Sequence, residues 1–91
     1  MELKWTGKAI SDVTRLYTFL ASVNQAAAVR TVQSLTSAPT SLLANSRLGE
    51  SLEEFEPREV RRILVAHYEI RYEIQKSTIY VLRLWHTREN R

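Results

Sequence analysis

Tyr68, Ile70, Tyr72 and Ile74 alternate with Glu69, Arg71, Glu73 and Gln75. A period of two predicts a strand with one face in a core and the other in water. Two further strand-like runs flank it, EVRRILV before and TIYVLRLWH after, with short connections at Ala66-His67 and Gln75-Lys76-Ser77. Connections this short join antiparallel neighbours, so the last third of the chain reads as a meander. The third run is apolar on both faces over its first half, which suits a central strand.

Upstream, Glu2-Leu3-Lys4-Trp5 alternates ahead of Thr6-Gly7 and predicts a short first strand. From Lys8 the period becomes helical, with Ile10, Val13, Leu16 and Leu20 forming an apolar stripe that ends near Ser22. Asn24 is a suitable N-cap for a second helix, Gln25 to about Ser37, whose buried side is marked by Ala28, Val32 and Leu35. Pro39 lacks an N–H and disfavours the helical conformation at Ala38, so the helix breaks or kinks there, and a further turn is expected over Ser41 to Asn45. The long connection from Arg47 to Pro57 carries Glu50, Glu53, Glu54 and Glu56. It reads as a solvated acidic loop, or as carboxylates that shield the basic strands or contact a basic partner. The order β-α-α-β-β-β implies a two-layer α+β domain in which a helical hairpin covers one face of a twisted sheet.

Composition sets the outer bounds. Ninety-one residues, 44% hydrophobic and 25% charged, make one ordinary globular domain with a modest core. The absence of cysteine excludes disulfides and thiolate metal sites, and suits a reducing cytosol. With His67 and His86 as the only histidines and no clustered acidic ligands, no metal site is expected. No apolar run approaches the roughly 20 residues that span a membrane, and the N-terminus lacks the apolar core of a signal peptide. With glycine only at positions 7 and 49, phosphate-cradling loops and other standard enzyme motifs are absent, so no cofactor is implied.

Charge is uneven. Residues 1–57 hold five Lys/Arg against six Asp/Glu, and residues 58–91 hold eight against four. Seven arginines fall in that second segment, which ends in the small basic tail Thr87-Arg88-Glu89-Asn90-Arg91. A single arginine is most simply a solvated side chain, but a concentration of planar guanidinium forks favours an acidic partner. In a meander Arg62, Arg71 and Arg83 lie on adjacent strands, and if register puts them on one face they form a basic groove for nucleic-acid phosphate or an acidic protein surface. Glu69 and Glu73 interleave with them and can pair across strands. His67 reads as a turn residue. His86 closes the last strand beside Trp85 and Arg88, as a hydrogen-bonding contact or an acid–base group without an evident carboxylate or tyrosine neighbour.

The segments Arg61-Arg62-Ile63-Leu64, Tyr68-Glu69-Ile70-Arg71-Tyr72 and Ile79 to Arg88 resemble the RelE/ParE family of bacterial toxins, as do the opening strand ending in Trp5, the helical hairpin and Arg47-Leu48-Gly49. The resemblance covers nearly the whole chain. It implies a cytoplasmic toxin, with no membrane association, neutralised by a cognate antitoxin in a hetero-oligomer. RelE-like members cut messenger RNA in the ribosome with basic strand residues and, in many cases, a tyrosine near the C-terminus. In that pattern an arginine follows the tyrosine of the second meander strand, whereas here the position is Glu69. After Tyr80 no tyrosine remains, and Thr87 stands beside His86 where some relatives have tyrosine. Only Arg62 and Arg88 match the basic positions of the nuclease pattern.

These departures point to the ParE branch, whose members poison DNA gyrase by binding it and are not themselves enzymes. The alternative is a RelE-like ribosome-dependent messenger RNA endoribonuclease. On the ParE reading, Arg62, Arg71, Arg83, His86 and Arg88 form or border the target surface. The antitoxin's C-terminal segment would dock in a groove on the helical hairpin and add a strand to a free sheet edge. Leu16, Leu20, Val32 and Leu35 border that groove or are plain core.

Overall fold

The structure, a computed structural model, describes residues 1–89; Asn90 and Arg91 of the basic tail lie outside the described residues. Strand β1 (Glu2–Trp5) leads into helix α1 (Gly7–Ala21) and helix α2 (Gln25–Ser37), and a 3₁₀ turn over Ala38–Leu43 follows. A two-residue strand β2 (Glu50–Ser51) and a 3₁₀ turn at Glu53–Phe55 precede strands β3 (Glu59–Val65), β4 (Tyr68–Gln75) and β5 (Thr78–His86). The α+β architecture and the antiparallel meander are as expected.

Local chemistry explains the helix starts. The Thr6 side chain caps α1 by accepting the Ala9 N–H, and its hydroxyl lies 2.9 Å from the Val81 carbonyl, so one residue starts the helix and ties it to β5. Asn24 caps α2 through the Ala27 N–H, as its position predicts. Pro39 ends the α-helical hydrogen bonding, but the chain continues as 3₁₀ turns.

The sheet order is β1-β5-β4-β3-β2. β1 pairs parallel to β5, which places β5 inside the sheet, and β2 pairs antiparallel to β3 only at Arg62 and Arg61. Both meander hairpins close with two residues, opening on left-handed Ala66 and Lys76. Such turns match the strand twist, at a cost of about 1 kcal/mol each for a residue other than glycine. Ala9, Leu16 and Leu35 pack against Ile70, Val81 and Leu84, while Leu42 packs with Tyr72, Ile74 and Ile79. The helical layer thus covers the Tyr68-Ile70-Tyr72-Ile74 face.

Three expectations need correction. Ile10 is exposed, and the buried stripe of α1 runs through Ala9, Asp12 and Leu16. The opposite face of β4 is not simply wet, because Glu69 and Glu73 are 6% and 4% exposed. Arginines cover both carboxylates. The connection after Gly49 is more than a solvated loop. Its glutamates are exposed, but Leu52 is buried with its N–H on the Val60 carbonyl, and Phe55 is half-buried against Arg71. Among the described residues no helix is long and apolar enough to cross a membrane.

Candidate functional site

Register brings Arg62, Arg71 and Arg83 into one row, since Arg62 lies opposite Arg71 and Arg71 opposite Arg83. Their side chains nevertheless part. Tyr72 pairs with Val81, so Leu82 is an extra residue on β5 and the alternation slips beside it. Arg83 therefore reaches the helical layer, where Nε and one terminal nitrogen donate to the Asp12 carboxylate at 2.7 and 3.1 Å. The predicted three-arginine groove does not form.

Arg62 and Arg71 share the outer face with Glu69, whose carboxylate accepts from Arg62 at 3.2 Å and from Arg71 at 3.0 Å. Arg62 also pairs with Glu50 of β2 at 2.8 Å, so one acidic residue of the connection does shield the basic strands. The Arg71 guanidinium stacks between Trp85 and Phe55, 4.7 and 5.3 Å from the ring centroids. Its Nε is buried with no hydrogen-bond partner. Next along β4, Glu73 is gripped by Arg58 at 2.7 and 3.1 Å, and the hydrogen bonds from Arg58 hold its carboxyl below the usual carboxylate range despite burial. The outer face is thus a self-neutralised lattice of arginine, glutamate and aromatic rings. Glu69 does not confront a ligand as a bare carboxylate, as its place in the sequence suggests, but it does occupy both arginines.

Substituting that carboxylate tests the balance. With Glu69→Gln, Arg62 and Arg71 would face each other across the strands with only Glu50 left as a counter-charge. The variant is expected to elute from heparin at higher salt than the parent and to bind nucleic acid non-specifically about tenfold more tightly at low salt. Unchanged elution would show that the face is already available to anions.

The remaining two predicted target residues sit elsewhere. His86 stacks edge-on against Tyr68 at 5.1 Å, and its Nδ1 accepts the Arg88 N–H at 3.1 Å. Glu89 approaches the His86 backbone N–H at 3.4 Å, not the ring, and takes a 2.9 Å ion pair from Arg15. Burial, helped by the Glu89 charge, pushes the Tyr68 phenol up. These residues and the second half of α1 enclose a cleft of about 740 Å³ lined by Arg15, Leu16, Phe19, Leu20, Tyr68, His86, Arg88 and Glu89. His86 and Arg88, predicted for the target, therefore meet Leu16 and Leu20, predicted for the antitoxin. Val32 is half-buried on α2, whereas Leu35 is fully buried in the core and has no free surface.

A second groove, about 750 Å³, runs along β3 beyond β2 and is lined among others by Ser37, Ser41, Leu48, Ile63, Leu64 and Val65. There β3 is an edge whose Leu64 is 62% exposed. Among the described residues no group of histidine, aspartate and glutamate could hold a metal ion.

The sequence reading passed over Asp12, Arg15 and Phe19. Asp12 carried a usable signal, an acidic residue one turn before Leu16 on the buried stripe. Phe19 carried another, an aromatic residue one turn beyond Leu16 at the end of the helix, where the buried stripe runs out.

Comparison with known proteins adds three findings. The family model described as ParE toxin of type II toxin-antitoxin system, parDE, matches residues 3–91. Among solved structures, the chain is similar to one titled "Chromosomal ParDE TA system from P. aeruginosa", with a TM-score of 0.77 and 22% identity over 94% of this chain and 95% of that one. A search of curated proteins gives no match.

Proposed function

Because the chain belongs to the ParE toxin family of type II toxin–antitoxin systems, we propose that it is a cytoplasmic toxin that binds and poisons DNA gyrase, blocks replication, and is held inactive by a cognate antitoxin. The observation that carries this reading over a nuclease is the Arg62–Glu69–Arg71 arrangement. Cutting RNA requires cations that meet developing charge on the transferring phosphate, with a base and an acid beside them. Here the Arg62 and Arg71 guanidinium groups are committed to a buried carboxylate, and that of Arg71 also to two rings. A binding role needs no such chemistry. Of the five target residues suggested by the sequence, Arg71 and Arg83 are held in the scaffold, Arg62 borders the β3 groove while paired with Glu50 and Glu69, and His86 and Arg88 line the cleft against α1.

The antitoxin has room elsewhere. A strand can add to β3 at Ile63–Val65, past the two-residue reach of β2, and an amphipathic segment can continue over the helical hairpin near the half-buried Val32 of α2. The test of the main reading is a supercoiling assay with purified gyrase. Inhibition with accumulation of cleaved DNA is expected. Normal supercoiling together with codon-dependent cuts in translated messenger RNA would replace gyrase poisoning by ribosome-dependent cleavage.

A further inference from the structure

We propose that the cleft between α1 and the ends of β4 and β5 is the surface that engages the toxin's target, and that it takes an apolar side chain flanked by a carboxylate from a protein partner. The proposal rests on the reading of the chain as a toxin acting by binding, and adds to it the site, the anchor residue and the chemistry of what is bound.

Three observations converge on this cleft. First, Phe19 on its rim is 68% exposed. A rigid aromatic ring left in water beside a concavity is the residue type that dominates binding energy at protein interfaces. Second, the interior offers apolar and aromatic surface from Leu16, Leu20 and Tyr68, with His86 fixed edge-on against Tyr68. Third, the rim is cationic on balance. Arg15 and Arg88 line it against a single acidic residue, Glu89, and Glu89 already accepts from Arg15 at 2.9 Å. Among the described residues no carboxylate pairs with Arg88. The nearby Arg83 and Asp12 satisfy each other.

Charge complementarity therefore selects an acidic partner, and the apolar floor selects a side chain over a phosphate backbone. Nucleic acid fits poorly, because its recognition asks for several unpaired cations in a row. An arginine such as Arg88 can pair bidentately with a carboxylate while the neighbouring apolar group fills the cleft beside Phe19. This placement also separates target from antitoxin, since the β3 edge groove lies on the far side of the meander from β5.

The experiment compares Phe19→Ala, Arg88→Lys and Arg88→Glu with the parent protein, and uses Lys76→Glu in the exposed β4–β5 turn as the charge-matched control. Growth inhibition on induction, inhibition of purified gyrase and affinity for the cognate antitoxin are read for each. Phe19→Ala and Arg88→Glu are expected to lose at least tenfold in growth inhibition and in gyrase inhibition. Lys76→Glu should stay within about threefold, Arg88→Lys should lose less than Arg88→Glu because it keeps the charge but not the bidentate fork, and antitoxin affinity should stay within about twofold throughout. Parent-like potency of both Phe19→Ala and Arg88→Glu overturns the proposal. So does a loss of antitoxin affinity that tracks the loss of toxicity, which would make the cleft the antitoxin's. A parent protein that stops growth without touching supercoiling removes gyrase as the target, while the growth arm still decides the cleft.

Discussion

Asp12→Ala is expected to remove about 3 kcal/mol of stability, at the lower end of what breaking a buried ion pair costs. Asp12 is 4% exposed on α1, and its carboxylate accepts from two Arg83 nitrogens and from the Leu84 N–H at 2.9 Å, with Arg15 3.5 Å away. Alanine leaves the Leu84 N–H without its acceptor and Arg83 without its counter-charge, at the point where the sheet is already irregular. Arg83 is partly exposed and can recover some hydration, which is why the lower figure applies. Urea unfolding should show a reduced midpoint at unchanged slope, and the melting temperature should fall by roughly 15 °C. A loss under about 1 kcal/mol would mean that the pair behaves as an ordinary surface salt bridge.

The same group predicts the direction of acid sensitivity. Burial alone would raise the Asp12 pKa, but the hydrogen bonds from Arg83 and Leu84 and the charges of Arg83 and Arg15 outweigh it and hold it below its ordinary 3.8. Its contribution is then complete above that value and is lost as pH falls through the lower, folded-state value. Glu59, where Arg47 and Arg61 outweigh burial, and Glu73 are likewise held below their ordinary 4.5. Stability should therefore begin to decline below about pH 4.5 and fall faster below 4. Asp12→Asn should flatten the steeper part of that decline while leaving the shoulder from the two glutamates.

How far the chain could be read without its structure depended on the range of each interaction. The second helix has the bounds that Asn24 and Pro39 imply, because a cap and a helix breaker act within a few residues. The meander was legible for a similar reason, since two-residue connections leave its strands little choice of neighbour. The parallel pairing of β1 with β5 was not, because it joins Glu2 to Thr78 across the whole chain. Alternation along Tyr68-Glu69-Ile70-Arg71 fixed which residues share a face, but not that Arg62 and Arg58 would bury Glu69 and Glu73. The extra residue at Leu82 defeated the expectation for Arg83, since one inserted position exchanges the two faces. The cleft is a meeting of the α1 surface with the end of β5, and neither segment reveals it alone.

Gly49→Ala is the second substitution with a large expected effect. A Cβ at position 49 would lie 2.5 Å from the Arg62 carbonyl oxygen and 2.7 Å from the Tyr72 hydroxyl. The first obstacle is backbone inside a sheet, so it cannot rotate away. The second is a fully buried ring whose hydroxyl accepts the Gly49 N–H at 2.9 Å and donates to the Ser46 carbonyl at 2.8 Å. Relief must come from displacing β2, which breaks those two bonds and lifts Glu50 from Arg62. Overpacking of this kind costs about 1–3 kcal/mol, and the lost hydrogen bonds add about 1 kcal/mol each. A total of about 3–5 kcal/mol is expected in urea unfolding. Tyr72→Phe alone should cost about 1–2 kcal/mol through the orphaned Gly49 N–H and Ser46 carbonyl. The double variant should recover only part of the glycine penalty, because the clash with the Arg62 carbonyl remains. Full recovery would locate the obstruction in the hydroxyl alone, and a neutral Gly49→Ala would show that β2 shifts freely. In the latter case Glu50 would be a loose partner for Arg62, and the outer face would be more available to an anion than the lattice of ion pairs implies.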